Sequence, residues 1–274
     1  MKIHVLVDNI PNADLGCEHG LSFYIESSGE RVLCDMGKTD KFHLNANSLG
    51  LDLNEVNFGF ISHAHSDHSG GLPYLLERFP KTKVYISDNI FNWQYFSVRG
   101  GLKHDLTPNY EGLSPFDRSL IRLKQSCWLT DNVAAVYCNC DRFSKPKGNS
   151  FIFKTCESQF EMNDDFNHEM SLVFVEPDGL VIISSCSHRG AVNIMHSCCE
   201  FTNVKRVKAF VGGLHIVDGE NIYDEVETLI EQINSNFPYV KIYTGHCTCD
   251  RAKSILEEKS CNITMFKTGD CLEI

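Results

Sequence analysis

The chain has 274 residues, 42% of them apolar, enough for a sizeable core in one large domain or two small ones. Its formal net charge of -11 excludes nucleic acid as the main partner, because phosphate backbones call for clustered Lys and Arg. No apolar run nears the roughly 18 residues that a membrane helix needs, so a soluble chain without a membrane partner is expected.

Met1 leads straight into strand-like sequence from Ile3 to Val7, without the apolar core and small-residue cleavage site of a secretory signal. Leu21 to Glu26 and Arg31 to Cys34 read as a hairpin around Ser27-Ser28-Gly29-Glu30. Asn57 to Ser62 is a strand, and Leu72 to Phe79 a helix stopped by Pro80. Lys83 to Ser87 is a further strand. From about 90 to 125 the chain reads as an irregular insertion or lid rather than core sheet, with Phe91, Trp93, Tyr95, Phe96 and Tyr110 among Gly100-Gly101 and Pro108.

Val133 to Tyr137, Ser150 to Lys154, Ser171 to Glu176 and Leu180 to Ser185 read as strands, the last two joined by the turn Pro177-Asp178-Gly179. A helix from Ala191 to Glu200 and a strand from Lys208 to Val211 follow. Asn221 to Asn234 is an amphipathic helix with Val226, Leu229, Ile230 and Ile233 at helical spacing. The strand Lys241 to Thr244 ends at Gly245-His246; the helix Arg251 to Lys259 and the strand Ile263 to Phe266 complete the pattern. This rhythm predicts a single α/β (α+β) domain over 1–274, two sheets with helices outside. No G-x-G-x-x-G follows a strand, so a dinucleotide fold has no support.

Thirteen cysteines without an export signal predict reduced thiols in a cytoplasmic protein. There are C-x-C pairs at Cys138/Cys140 and Cys247/Cys249 and no C-x-x-C, which argues against a structural zinc knuckle. Most of the thiols are expected to be small buried hydrophobes, and Cys186 and Cys247 to be packing groups.

The chemistry concentrates in His63, His65, Asp67 and His68, four residues within a span of six just after a strand. Imidazole and carboxylate together suit zinc, iron, manganese or cobalt. The two-residue step from His63 to His65 points both rings one way from extended backbone, and Ser69-Gly70-Gly71 lets the chain turn sharply. His188 and His246 each follow a strand and a small residue, so they can converge on the same rim.

His63-x-His65-x-Asp67-His68 resembles the signature of the metallo-β-lactamase superfamily, and Asp35, His188 and His246 resemble its further motifs. The resemblance implies a four-layer αββα sandwich. It also implies one metal on His63, His65 and His188 and another on Asp67, His68 and His246, with Asp35 orienting a ligand histidine. Leu6-Val7-Asp8-Asn9, Glu18-His19-Gly20, Gly212-Gly213-Leu214-His215 and Gly245-His246-Cys247-Thr248 are similar to the branch of 7,8-dihydropterin-6-methyl-4-(β-D-ribofuranosyl)aminobenzene 5′-phosphate synthases. The superfamily's bridging Asp has no counterpart, because Gly213 stands in its place.

The expected function is a metal-dependent hydrolase with one or two divalent transition metals, zinc foremost and manganese or iron as alternatives. A metal-activated water would attack an anionic, phosphorylated, pterin-like or nucleotide-like small molecule, and Asp67 would accept a proton. His19, His215, Asp8, Asn9, Arg99 and Lys103 are the candidate substrate contacts, with His104 beside them. The alternatives are a condensing enzyme of the synthase branch and a non-catalytic metal or ligand sensor. A diiron oxidase is disfavoured by His65 and Gly213, where such relatives carry carboxylates.

Overall fold

The computed structural model describes every residue except 13, 92 and 157–159, and the chain divides into two units. The first comprises Met1–Lys124, Phe151–His168 and Lys267–Ile274; the second comprises Gln125–Ser150 and Glu169–Phe266.

In the first unit, Lys2–Val7, Ser22–Ser27 and Glu30–Cys34 form an antiparallel meander. Its hairpin turns at Ser28-Gly29, both at positive φ (51° and 87°), the backbone twist a two-residue loop requires. Phe58–Phe60, Val84–Ser87 and Leu120–Leu123 then add in parallel, while Cys271–Glu273 pairs with Lys2–Val7 at the other edge. The helix Leu72–Arg78 forms as predicted, burying Leu72, Leu75 and Leu76 at i, i+3 and i+4 spacing. The helix Lys41–Ser48 was not foreseen. Its sequence is largely polar and buries just Phe42, Asn45 and Ala46, so it has almost no apolar period to read. It is tied down by Asn45, whose side-chain amide donates to the Leu6 and Gly16 carbonyls, each at 2.7 Å.

The stretch from 90 to 125 is more ordered than its composition suggests. Gln94–Arg99 and Leu102–Asp105 form a hairpin, and Gly100-Gly101, at φ 57° and 79°, is its turn. Ile152–Cys156 and Phe160–Asn163 extend it to four strands, with Tyr95 and Phe96 buried. Leu120–Leu123 lies on the edge of the first sheet. The hairpin's second partner lies some fifty residues further on, so a local window showed only aromatics and glycines.

The second unit pairs Cys127–Trp128, Val133–Tyr137, Met170–Glu176 and Gly179–Ile183 antiparallel, then continues in parallel with Val207–Val211, Lys241–Thr244 and Ile263–Met265. The helices Ala191–Thr202, Ile222–Asn236 and Asp250–Lys259 follow successive strands, close to the predicted bounds. Ile182, Phe210 and Ile242 join Val192, Val226 and Leu256 in its buried core. Ile183, Val211 and Tyr243 are register neighbours, so the loops leaving these three parallel strands start at one end of the sheet. Open α/β sheets bind their ligands at that carboxyl end.

The thirteen cysteines carry free thiols. The expectation that most are buried is wrong: Cys34, Cys140, Cys186 and Cys198 are, while Cys156, Cys261 and Cys271 are exposed. Cys261 lies in a turn, Cys271 on an edge strand and Cys156 at the end of its strand, which puts these three outside the apolar interior.

Candidate metal centre

In the first unit Cys34 pairs with Phe60, so Asp35 and Ser62-His63 leave the same end of adjacent parallel strands. Asp35 is fully buried and sits at φ 56°, a conformation that costs a non-glycine residue free energy and that surrounding contacts must hold. Its carboxylate accepts three hydrogen bonds: Ser62 N at 2.8 Å, Ser62 Oγ at 2.7 Å and His68 Nδ1 at 2.8 Å. A carboxylate only accepts, so His68 carries its proton on Nδ1 and its lone pair on Nε2. Ser62 has one hydroxyl proton, given to Asp35. Its oxygen therefore accepts from His63 Nδ1 at 2.8 Å, and His63 Nε2 is likewise the lone-pair atom.

His65 Nδ1 stands 3.1 Å from His63 Nε2. Two nitrogens that bind one tetrahedral zinc are about 3.3 Å apart, so the pair fits a shared metal as it stands. Asp67 Oδ2 lies 3.7 Å from His68 Nε2 and 3.4 Å from Nε2 of the exposed His19. Burial, with His68 and His65 nearby, holds His63 well below the ordinary imidazole range, in the neutral form that ligation requires. Gly70 and Gly71 are demanded by packing: a Cβ would fall 2.5 Å from the Lys38 carbonyl oxygen and 2.1 Å from that of Met36, respectively.

Two groups here escaped the sequence analysis. His168 accepts from Ala64 N at Nδ1 (3.1 Å) and donates from Nε2 to Asp164 Oδ2 at 2.9 Å. The same Asp164 oxygen lies 3.8 Å from His65 Nε2, so His65, Asp164 and His168 form a buried cluster. Burial opposes the charge on Asp164, but His168 and His65 hold its carboxyl far below the usual range. The four-residue spacing of Asp164 and His168 was the available signal; the short strand Phe160–Asn163 that leads into it was not read from the sequence.

The other residues proposed for substrate serve the backbone or are exposed on a hairpin. Asp8 is buried and accepts from Ile10 N, and Asn9 Oδ1 accepts from Gly20 N. Arg99, Lys103 and His104 are exposed on the hairpin Gln94–Asp105. There Lys103 pairs with Glu161 at 2.7 Å and lies over the Phe96 ring.

In the second unit His188, His215 and His246 stand on the loops leaving Gly179–Ile183, Val207–Val211 and Lys241–Thr244. Ser187, His215 and His246 all adopt positive φ (62°, 48° and 45°), so each loop is held in strained backbone. His188 Nδ1 meets Asn149 Oδ1 at 3.1 Å, and the Asn149 amide donates to the His188 carbonyl at 2.7 Å, which fixes the amide's orientation. His188 thus donates from Nδ1, and Nε2 is its lone-pair atom. Glu169 receives His188 N and Arg189 N, each at 2.8 Å; burial pushes its carboxyl up to about 7 against the pull of those bonds.

Gly213 does not adopt positive φ, yet a side chain there would force its neighbours to shift: a Cβ would fall 2.2 Å from Cys247 Sγ and 2.9 Å from the Ser185 carbonyl oxygen. Cys186, His188 and His215 bring their ligating atoms within 4.8 Å of one another, as do Cys186, His246 and Cys247. Burial works against ionising Cys247, but Cys186, His215 and His246 beside it bring its thiol well below the ordinary range. Their strand-flanking positions had suggested packing for Cys186 and Cys247.

A metallo-β-lactamase fold is what these sheets and motif loops define. Residues 15–127 match the sequence profile of the metallo-beta-lactamase superfamily. A metal-dependent hydrolase of the β-lactamase superfamily of known structure is 29% identical, with a TM-score of 0.83 over 100% of this chain and 99% of that one. The chain is 26% identical to the 7,8-dihydropterin-6-methyl-4-(β-D-ribofuranosyl)-aminobenzene-5′-phosphate synthase of Methanocaldococcus jannaschii, over 94% of this chain and 91% of the relative. The zinc-bound PqqB of Methylobacterium extorquens shares the fold at 8% identity, with a TM-score of 0.57 over 100% of both chains. Among the described residues, no helix is long and apolar enough to cross a membrane.

Proposed function

We propose that this chain is a cytoplasmic, metal-dependent enzyme of hydrolase type acting on an anionic, phosphorylated small molecule, pterin-like or nucleotide-like. The observation that carries it is the Asp35–Ser62 relay, which turns the lone pairs of His63 and His68 to Nε2 while His65 Nδ1 stands at ligand spacing. His63, His65 and His188 are proposed to hold one divalent ion, and Asp67, His68 and His246 the other, with zinc ahead of manganese or iron.

Such an ion would make water nucleophilic near neutral pH and polarise a phosphoryl or carbonyl oxygen. Asp67 would accept a proton from that water, and His19, 3.4 Å from it, would receive or return that proton. Asp35 and Asn149 keep their imidazoles in one tautomer throughout. His215, Arg99 and Lys103 are the proposed substrate contacts.

The likeness to the dihydropterin synthase favours a second reading, condensation at the same centre. Elemental analysis after gentle purification is expected to give one to two equivalents of transition metal. None bound, and no uptake of added zinc, manganese or iron, would sink the proposal. On the metal-loaded protein, mass analysis of a phosphorylated pterin panel separates the two reactions. Addition of water to one substrate marks the hydrolase, and joining of two substrates the condensing enzyme. Full metal with neither reaction leaves the sensor.

A further inference from the structure

We propose that Cys247 is a metal ligand, its sulfur supplying beside His246 the donor that Gly213 cannot provide. The inference rests on the metal-dependent reading above and concerns residues of the second unit alone. A bridging carboxylate could grow from position 213 only if Cys247 moved, because a Cβ there would fall 2.2 Å from Cys247 Sγ. The sulfur fills the space into which a side chain at 213 would extend.

The surroundings are those of a donor set. Cys186, 3% exposed, and His246 place their ligating atoms within 4.8 Å of Cys247 Sγ. The Cys247 sulfur receives the backbone N–H of His215 at 3.3 Å, the kind of bond that favours a thiolate. His215 is 5% exposed, and neither of its ring nitrogens has a hydrogen-bond partner among the described residues. Its ring lies 4.2 Å from that of His188, and its nitrogen falls within 4.8 Å of Cys186 Sγ and the His188 ring. A buried imidazole left without a hydrogen bond costs free energy that a ligand would recover.

Binding displaces the thiol proton to solvent, leaving sulfur as a soft donor that favours zinc or cobalt over manganese or magnesium. Oxidation of the thiol or its alkylation would close this site.

Cobalt substitution tests the inference, with optical spectra and metal stoichiometry read on the same samples. The native chain is expected to show a sulfur-to-cobalt charge-transfer band in the near ultraviolet. Cys247→Ser should lose most of it, with affinity for one equivalent falling at least about tenfold, since even outer partners of ligands cost that much. Cobalt bound without a sulfur band, or a band undiminished in Cys247→Ser, overturns the inference and leaves the metal-dependent reading standing. No cobalt bound at all overturns both. Should the variant not fold, mass-mapped alkylation of the native chain decides. Zinc must protect Cys247 from the reagent, and equal labelling with and without zinc refutes the assignment.

Discussion

The two histidine clusters are built on opposite plans. In the first unit, His63, His65, Asp67 and His68 come from one short segment, and a buried carboxylate sets two imidazoles through Asp35 and Ser62. In the second, His188, His215 and His246 come from three loops, with an amide, Asn149, behind one imidazole and two thiols among the rings. A contiguous cluster needs one loop to be placed correctly. A dispersed one needs three parallel strands in register, here Ile183, Val211 and Tyr243. The first cluster is thus the one local sequence can encode, and the second depends on the sheet.

The largest effect should come from breaking the contiguous cluster. His63→Ala removes a proposed ligand and its hydrogen bond to Ser62 Oγ together. Metal affinity is expected to fall by more than about a hundredfold, beyond what loss of an outer partner costs. His246→Ala should spare the first equivalent and weaken the second. Equal losses in both variants, measured by competition with a chelator, would erase the distinction between the clusters.

Asp35→Asn tests the relay itself. The amide keeps the shape but cannot accept from all three donors, so one buried partner is stranded, at about 1–3 kcal/mol. Affinity is expected to drop about 10–100-fold as His68 loses its fixed tautomer. A denaturation midpoint and a metal titration read the two effects separately. Unchanged metal affinity would show that Asp35 serves the fold and nothing more.

The same contrast explains what the sequence disclosed. The six-residue motif, the Gly70-Gly71 turn and the strand before it were legible because each signal is local. The amphipathic helix of the second unit was legible through its period, with Val226 and Ile233 on the buried face. Asp164 and His168 were not, because their meaning depends on His65 reaching them from a hundred residues away. The hairpin Gln94–Asp105 was hidden for the same reason: its further partner is Ile152–Cys156. Gly213 was read as a missing carboxylate, but only three-dimensional structure shows a sulfur in that space.

Gly213→Asp sharpens the point on the dispersed side. Restoring the superfamily's carboxylate should destabilise the protein by about 1–3 kcal/mol, the usual range for overpacking, without raising metal affinity. Combining it with Cys247→Ala should recover part of the stability, because one of the two close contacts then disappears while Ser185 O remains. A stabilised single variant with tighter metal would mean that the loop yields readily and that the dispersed cluster is not constrained by its neighbours.

The smallest effect concerns neither cluster. Arg99 and Lys103 are exposed on a hairpin, and Lys103 already has Glu161 at 2.7 Å. Exposed ion pairs of this kind contribute about 0–1 kcal/mol, so Arg99→Ala and Lys103→Ala should leave stability within about 0.5 kcal/mol. Metal content should not change, as neither residue offers a ligand. If the hairpin sets substrate selectivity, KM for a phosphorylated substrate rises several-fold with kcat nearly constant, the pattern of lost uniform binding. Point substitutions suit this test better than excising the hairpin, which would remove two strands of a four-stranded sheet and, with them, the buried Tyr95 and Phe96. An unchanged KM in both variants would move selectivity away from this hairpin, toward the loops that carry His19 and His215.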